Sequence, residues 1–126
     1  MIFNIQIELV FGLYAKKDWT GVIEIDSSST LEDLHYAIQD AVEFENDHMY
    51  EFFISRTERS RDKIRFNDEN EKVYSTTLND VFPLPKGKKL FYLFDYGDKW
   101  KFQINRNRKK PHEPVKDVEY PRLVNQ

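Results

Sequence analysis

The stretch LFYLFDYGDKWKFQI, residues 90–104, is the densest aromatic run in the chain and reads as a β-hairpin. Two segments rich in aromatic and branched residues flank Asp95, Tyr96, Gly97 and Asp98, and Gly97 can take the positive φ of a tight turn. With a two-residue or a four-residue loop, Phe94 pairs with Lys99. On that register Phe91 and Leu93 share a face with Trp100, Phe102 and Ile104, which reads as core. Leu90, Tyr92 and Phe94 then share the other face with Lys99, Lys101 and Gln103, a mixture of rings and cations.

Working outward, Ile2 to Val10 and Trp19 to Ile25 each alternate apolar and polar residues, the pattern of half-buried strands. Gly12, Lys16, Lys17 and Asp18 supply the turn between them, and so short a connection predicts antiparallel pairing. Thr30 is placed to cap a helix whose first turn carries Glu32 and Asp33, and Leu31, Leu34, Ile38, Ala41 and Val42 form its apolar stripe. Residues 48–54 are apolar at nearly every position and predict an interior strand. The segment from about 55 to 76 is highly charged and reads as a mobile excursion with room for a short strand near Ile64 and Phe66. Thr77 caps a short helix through Leu78, Val81 and Phe82 that Pro83 and Pro85 end. After the hairpin comes a basic, proline-containing tail, about 106–126. The expected fold is therefore α+β, in one domain spanning 1–126. A roll is expected, with a mixed, mainly antiparallel curved sheet of about five strands on one main helix, in the order β-β-α-β-(short α)-β-β.

The chain of 126 residues carries 19 basic and 22 acidic side chains, a formal charge of -3, so no global charge announces a nucleic-acid or membrane partner. The distribution is uneven: residues 1–50 carry -8 and residues 51–126 carry +5, which predicts one acidic and one basic face. No cysteine is present, which removes disulfides, thiolate zinc sites and cysteine nucleophiles and agrees with a reducing, cytoplasmic location. The N-terminus alternates instead of forming a signal peptide, and no apolar run approaches the ~20 residues needed to span a bilayer.

Three motifs resemble a known family, the Ri-plasmid ORF-3-like proteins, also labelled TnpR-like passenger proteins of insertion elements, that is, of mobile elements. Thr30-Leu31-Glu32-Asp33-Leu34-His35-Tyr36-Ala37-Ile38 is similar to the family's helix start. Residues 47–52 are similar to its His-Leu-x-x-Phe strand. Tyr92-Leu93-Phe94-Asp95-Tyr96-Gly97-Asp98-Lys99-Trp100 is similar to its hairpin and is the most specific of the three. The resemblance implies an α+β roll with a helix against a curved sheet. The TnpR label implies a serine recombinase, which this short chain does not resemble. Where family members tend to follow the early tryptophan with two arginines, this chain has Thr20-Gly21 after Trp19.

The catalytic signals are sparse. Asp95 and Asp98 bracket the hairpin turn and could hold a hard cation, but aspartate is also a good turn residue. His35 and His48, with Asp33, Asp47 or Glu51, are the raw material for a metal site and a metal-dependent enzyme; the close spacing of such sites is missing, and His35 reads better as a hydrogen-bonded residue at the core edge. His112 lies between tail prolines. No nucleophile elbow, P-loop or dinucleotide fingerprint can be assembled, and no cofactor is expected.

The stronger signal is basic and aromatic together. Residues 86–110 hold nine basic side chains against two acids. Cations contact phosphate and exposed rings stack bases. The expected function is a non-enzymatic binding module using Tyr92, Phe94, Lys99, Lys101, Arg106, Arg108, Lys109 and Lys110 toward nucleic acid or an acidic protein. Against it stands the commoner arrangement, in which the excursion or the tail covers those rings. Self-association through a sheet edge, acidic face to basic face, is a further alternative.

Overall fold

The computed structural model of the chain describes residues 1–12, 18–46, 48–97 and 99–125. Its elements are β1 (Ile2–Phe11), β2 (Thr20–Asp26), α1 (Leu31–Val42), β3 (Tyr50–Ser55), β4 (Ile64–Phe66), α2 (Lys72–Ser75), α3 (Leu78–Val81), β5 (Lys89–Phe94), β6 (Trp100–Arg106) and β7 (Arg122–Asn125). The strands form one seven-stranded sheet in the order β4-β3-β5-β6-β1-β2-β7. Every pairing is antiparallel. The α+β class is as the sequence implies, but the sheet has seven strands rather than about five and is not mixed. The two additions to the expected minimum lie at its edges. β4 falls where a short strand near Ile64 and Phe66 had room, and β7 lies in the tail. Such short, charge-bearing edge strands give little apolar alternation and so little sequence signal.

α1 begins as expected. Thr30 Oγ1 accepts from the Asp33 amide at 3.2 Å and Asp33 Oδ2 accepts from the Thr30 amide at 2.9 Å, a reciprocal capping box. Leu31, Leu34 and Ile38 are fully buried against the sheet, facing Ile5, Ile7, Ile23, Ile25, Phe52 and Tyr92 in a common core. The short helix α3 repeats the capping box with Thr77 and Asp80.

The hairpin departs from the expected register. Phe94 pairs with Trp100, not Lys99, and Tyr92 with Phe102. The connecting loop has five residues, and the left-handed conformations fall on Asp95 (φ 61°) and Lys99 (φ 56°), not on Gly97. An odd loop shifts the pairing by one residue, and because side chains alternate along a strand, one face is exchanged for the other. Leu90, Tyr92, Phe94, Trp100, Phe102 and Ile104 now point together at α1. Full burial is worth roughly 1.5–3 kcal/mol per large apolar side chain. A left-handed non-glycine residue costs only ~1–2 kcal/mol. Burial decides the register.

The sheet's other face is covered by two arms. One, residues 56–63, lies over Phe53 and Phe91, which are both buried, with Lys63 Nζ 4.5 Å from the Phe53 ring centre. The other is the tail: Ile2 and His112 exchange backbone hydrogen bonds, and β7 pairs with β2. Glu24 fastens this strap. Its Oε1 accepts from Arg122 Nε at 2.6 Å and its Oε2 lies 3.2 Å from His112 Nε2. Burial by itself would raise the Glu24 pKa, but the hydrogen bonds and charges of Arg122 and His112 outweigh it and hold the group below its ordinary 4.5.

A carboxylate with a lowered folded pKa stabilises fully above its ordinary value and loses that contribution as pH falls through the folded one. Glu24→Gln is therefore expected to lower the unfolding free energy at pH 7 by roughly 1–3 kcal/mol and to flatten the stability loss below about pH 4.5. Urea unfolding at pH 7 and pH 4 checks this; equal stability of variant and parent at pH 7 would refute the anchoring role.

A tyrosine-walled cleft over His35 as the candidate functional site

The structure disperses the residues expected to form a basic and aromatic platform. Tyr92 is fully buried and Phe94 is 3 % exposed, both under α1, so neither ring can stack a ligand. What covers them is the helix layer, reached through the shifted register, and not the excursion or the tail. Lys99 stands exposed in the hairpin loop. Lys101 turns to the opposite face of the sheet, where its Nζ lies 5.5 Å from the Phe11 ring centre and donates to the Glu58 carbonyl at 3.4 Å. Arg106 lies at the far end of β6, roughly 20 Å away along the strand, with its guanidinium 4.9 Å from the Phe3 ring centre. Arg108, Lys109 and Lys110 follow it in an exposed turn.

The candidate metal ligands are not assembled either. Both ring nitrogens of His35 are engaged: Nδ1 lies 2.5 Å from the Tyr92 hydroxyl and Nε2 lies 2.6 Å from Asn46 Oδ1. Asp33 belongs to the helix cap. Glu51 lies on the opposite sheet face, bound to Arg65 Nη1 at 2.6 Å. His48 Nε2 lies 3.4 Å from Asp95 Oδ2, and Asp95 Oδ1 accepts from the Gly97 amide at 3.0 Å, a turn role. Asp47 and Asp98 fall outside the described residues. Among the described residues no three histidine, aspartate or glutamate side chains stand close enough to hold a metal.

His35 instead forms the floor of a cleft of about 510 Å³ lined by Glu32, Tyr36, Asn46, His48, Met49, Tyr50, Asp68 and Tyr74. The floor is a closed polar network. Asn46 Oδ1 can only accept, so His35 Nε2 carries the proton and Nδ1 accepts from the Tyr92 hydroxyl. That hydroxyl in turn accepts from Gln39 Nε2 at 2.9 Å, and Gln39 Oε1 accepts from the Asn46 amide at 2.9 Å. The imidazole is neutral and only 1 % exposed, stacked on Tyr50 with ring centres 3.5 Å apart and planes 3° apart. Burial pushes its pKa down to about 4, against a smaller upward pull from Asn46.

The walls come from three separate segments. Glu32 and Tyr36 sit one turn apart on α1, so they share a helix face. Met49 and Tyr50 come from the start of β3. Asp68 and Tyr74 come from the charged segment before α3, docked to the start of α1 by backbone bonds. The Leu31 amide donates to the Thr76 carbonyl, and the Leu78 amide to the Ser29 carbonyl, each at 3.0 Å. Tyr36 is 49 % exposed, Tyr74 47 % and Met49 59 %, so the rim leaves large apolar groups open to solvent. The sequence offered a faint signal for this site: the Glu32/Tyr36 and His35/Gln39 pairs at helical spacing. Tyr50 and Tyr74 had none.

The fold and the cleft define a sheet-and-helix α+β protein with an open polar and aromatic site at the first turns of its main helix. The chain belongs to the family described as plasmid pRiA4b ORF-3-like protein, whose model matches residues 3–126. It is similar in structure to the protein of unknown function MM3350 from Methanosarcina mazei Go1, with a TM-score of 0.77 and 22 % identity, over 98 % of this chain and 67 % of that one. At that identity the likeness bears on the fold. No curated protein matches the chain. Among the described residues, no helix is long and apolar enough to cross a membrane.

A histidine buried neutral stabilises fully above its unfolded pKa. As pH falls from about 6.5 toward about 4, the unfolded chain takes up a proton that the native imidazole resists, and stability is lost. NMR titration of the His35 ring is expected to show a midpoint near 4. A midpoint near 6.5 would refute the closed network.

Proposed function

We propose that this protein is a binding module whose site is the cleft over His35, in place of the hairpin face that the sequence favours. The observation that carries this reading is the convergence of Glu32, Tyr36, Met49, Tyr50, Asp68 and Tyr74 from three chain segments around one concavity. Half-exposed tyrosines at the rim of a cleft of this size are the usual furniture of small-molecule sites. Binding is favoured over catalysis because the one deeply buried base in the walls, His35, has both nitrogens committed to structural partners.

Tyr36→Ala and Tyr74→Ala test the reading, since both side chains are about half exposed and their loss should move stability by no more than about 0.5 kcal/mol. In an NMR screen of a mixed set of small anions, cations and neutral compounds, shifts are expected to cluster on Tyr36, Tyr50, Tyr74 and Met49. The variants are expected to weaken any hit at least tenfold. Hits that shift only residues elsewhere, or that both variants bind unchanged, would refute it.

A second reading keeps the expected charge and relocates it. Arg108, Lys109 and Lys110 share one exposed turn directly after Arg106 at the end of β6, away from the hairpin loop. Such a cluster supports salt-sensitive contact with phosphate or with an acidic protein. Reversing Arg108 and Lys109 to glutamate is expected to abolish binding of single-stranded DNA at low salt. Absence of binding by the parent protein at low salt would remove nucleic acid from this reading.

A further inference from the structure

Resting on the cleft as the binding site, we infer that its ligand is a small free organic cation of the alkylammonium class. Three features of the walls converge on that chemistry. Tyr36, Tyr50 and Tyr74 supply aromatic rings, whose faces carry negative quadrupolar charge and attract ammonium groups. Glu32 and Asp68 supply formal negative charge at the same opening, and among the described lining residues there is no lysine or arginine to neutralise it. The floor adds no positive charge, because the imidazole is held neutral between a carbonyl acceptor and a hydroxyl donor.

Glu32 and Asp68 act on the tyrosine hydroxyls in the same sense. The Tyr50 hydroxyl is raised in pKa first by burial and then by Glu32, with Tyr74, Tyr36 and Asp68 adding to it. That of Tyr74 is raised by desolvation, then by Asp68 and Glu32. The carboxylates thus add a negative potential that disfavours an anionic ligand and favours a cation in the same place, while the larger cause, desolvation, disfavours a charge of either sign. A neutral apolar ligand would gain from the rings but would leave the two carboxylates with nothing to do. An anion would gain from neither.

Choline, its neutral shape analogue 3,3-dimethyl-1-butanol, and the anion 3,3-dimethylbutyrate separate these cases in NMR titrations at low salt. Choline is expected to shift Tyr36, Tyr50 and Tyr74 and to bind about tenfold or more tighter than the alcohol, with no binding by the butyrate. Glu32→Gln and Asp68→Asn, both at solvent-accessible positions, are expected to bring choline to within about threefold of the alcohol while leaving the alcohol unchanged. Equal binding of choline and the alcohol, or binding of the butyrate, overturns the cation assignment and leaves the cleft as the site. If none of the three shifts the tyrosines, the cation assignment fails, and the mixed-compound screen decides the cleft by itself. A lysine-containing pentapeptide that binds the cleft at least tenfold tighter than choline would overturn the free molecule in favour of a protein side chain.

Discussion

The hydroxyl of Tyr92 is the constraint around which the molecule is arranged. The ring is fully buried in the middle of a seven-stranded sheet, and its oxygen lies where water cannot satisfy it. A buried polar atom left without a partner costs roughly 1–3 kcal/mol, a large fraction of a small domain's net stability. Here the hydroxyl donates to His35 and accepts from Gln39, residues one turn apart on α1, and both reach onward to Asn46 beyond the helix. One oxygen therefore ties the rotation of the helix on the sheet to the path of the chain into β3, while Asn46 Oδ1 sets the tautomer of the histidine. Tyr50 then finds the His35 ring already in place and stacks on it, which makes the floor of the cleft. Buried polar networks of this kind specify a unique arrangement only when every member is satisfied, and this one closes on itself.

None of this would follow had the hairpin kept an even loop. Tyr92 would then face away from α1, and His35 would lose its donor. The chain accepts left-handed backbone at Asp95 and Lys99 in order to align six apolar side chains, and the polar network is a consequence of that alignment. On the reverse face the same parity places Lys101 and Gln103 beside Phe91 and Leu93, where a loop and a tail cover the apolar part and leave the centre polar. The uneven charge of the two halves of the sequence is partly resolved within the fold, since Glu24 of the acidic half is bound by Arg122 and His112 of the basic half.

What the sequence could and could not disclose follows from the range of each interaction. The helix caps at Thr30 and Thr77, the alternation in β1 and β2 and the existence of the hairpin depend on neighbours within a few positions, and all were legible. His35 as a hydrogen-bonded residue at the core edge was legible too, because it borders an apolar stripe and lacks metal-site spacing. Loop parity was not. It hinges on a single residue whose local preference is weaker than the burial it controls, and the glycine that looked decisive for the turn is not the residue with positive φ. The Tyr92–His35 contact joins residues 57 positions apart, and Tyr74 reaches the cleft only because its segment docks on the start of α1. Pattern and propensity carry no information about such meetings.

The two parts of the cleft are held by different means, and this bears on how it could admit a ligand. The floor rests on the core: Tyr92, Gln39 and His35 are all within 2 % of full burial, and disturbing them means disturbing the helix-sheet contact. The rim contributed by Asp68 and Tyr74 is carried by a much shorter element. α2 is four residues long and starts from Glu71 in a left-handed conformation, its Lys72 amide bonded to Asn70 Oδ1 at 3.0 Å. The fully buried Val73 pins it to the core, and reciprocal bonds between Asn67 and Asn70 and the backbone bonds at Leu31, Leu78 and Asn79 hold the segment in place. A ligand entering here would therefore meet a floor built into the core and a wall carried by a short helix. Its charge would be selected by the wall acids, while its position would be set by the histidine and tyrosine beneath.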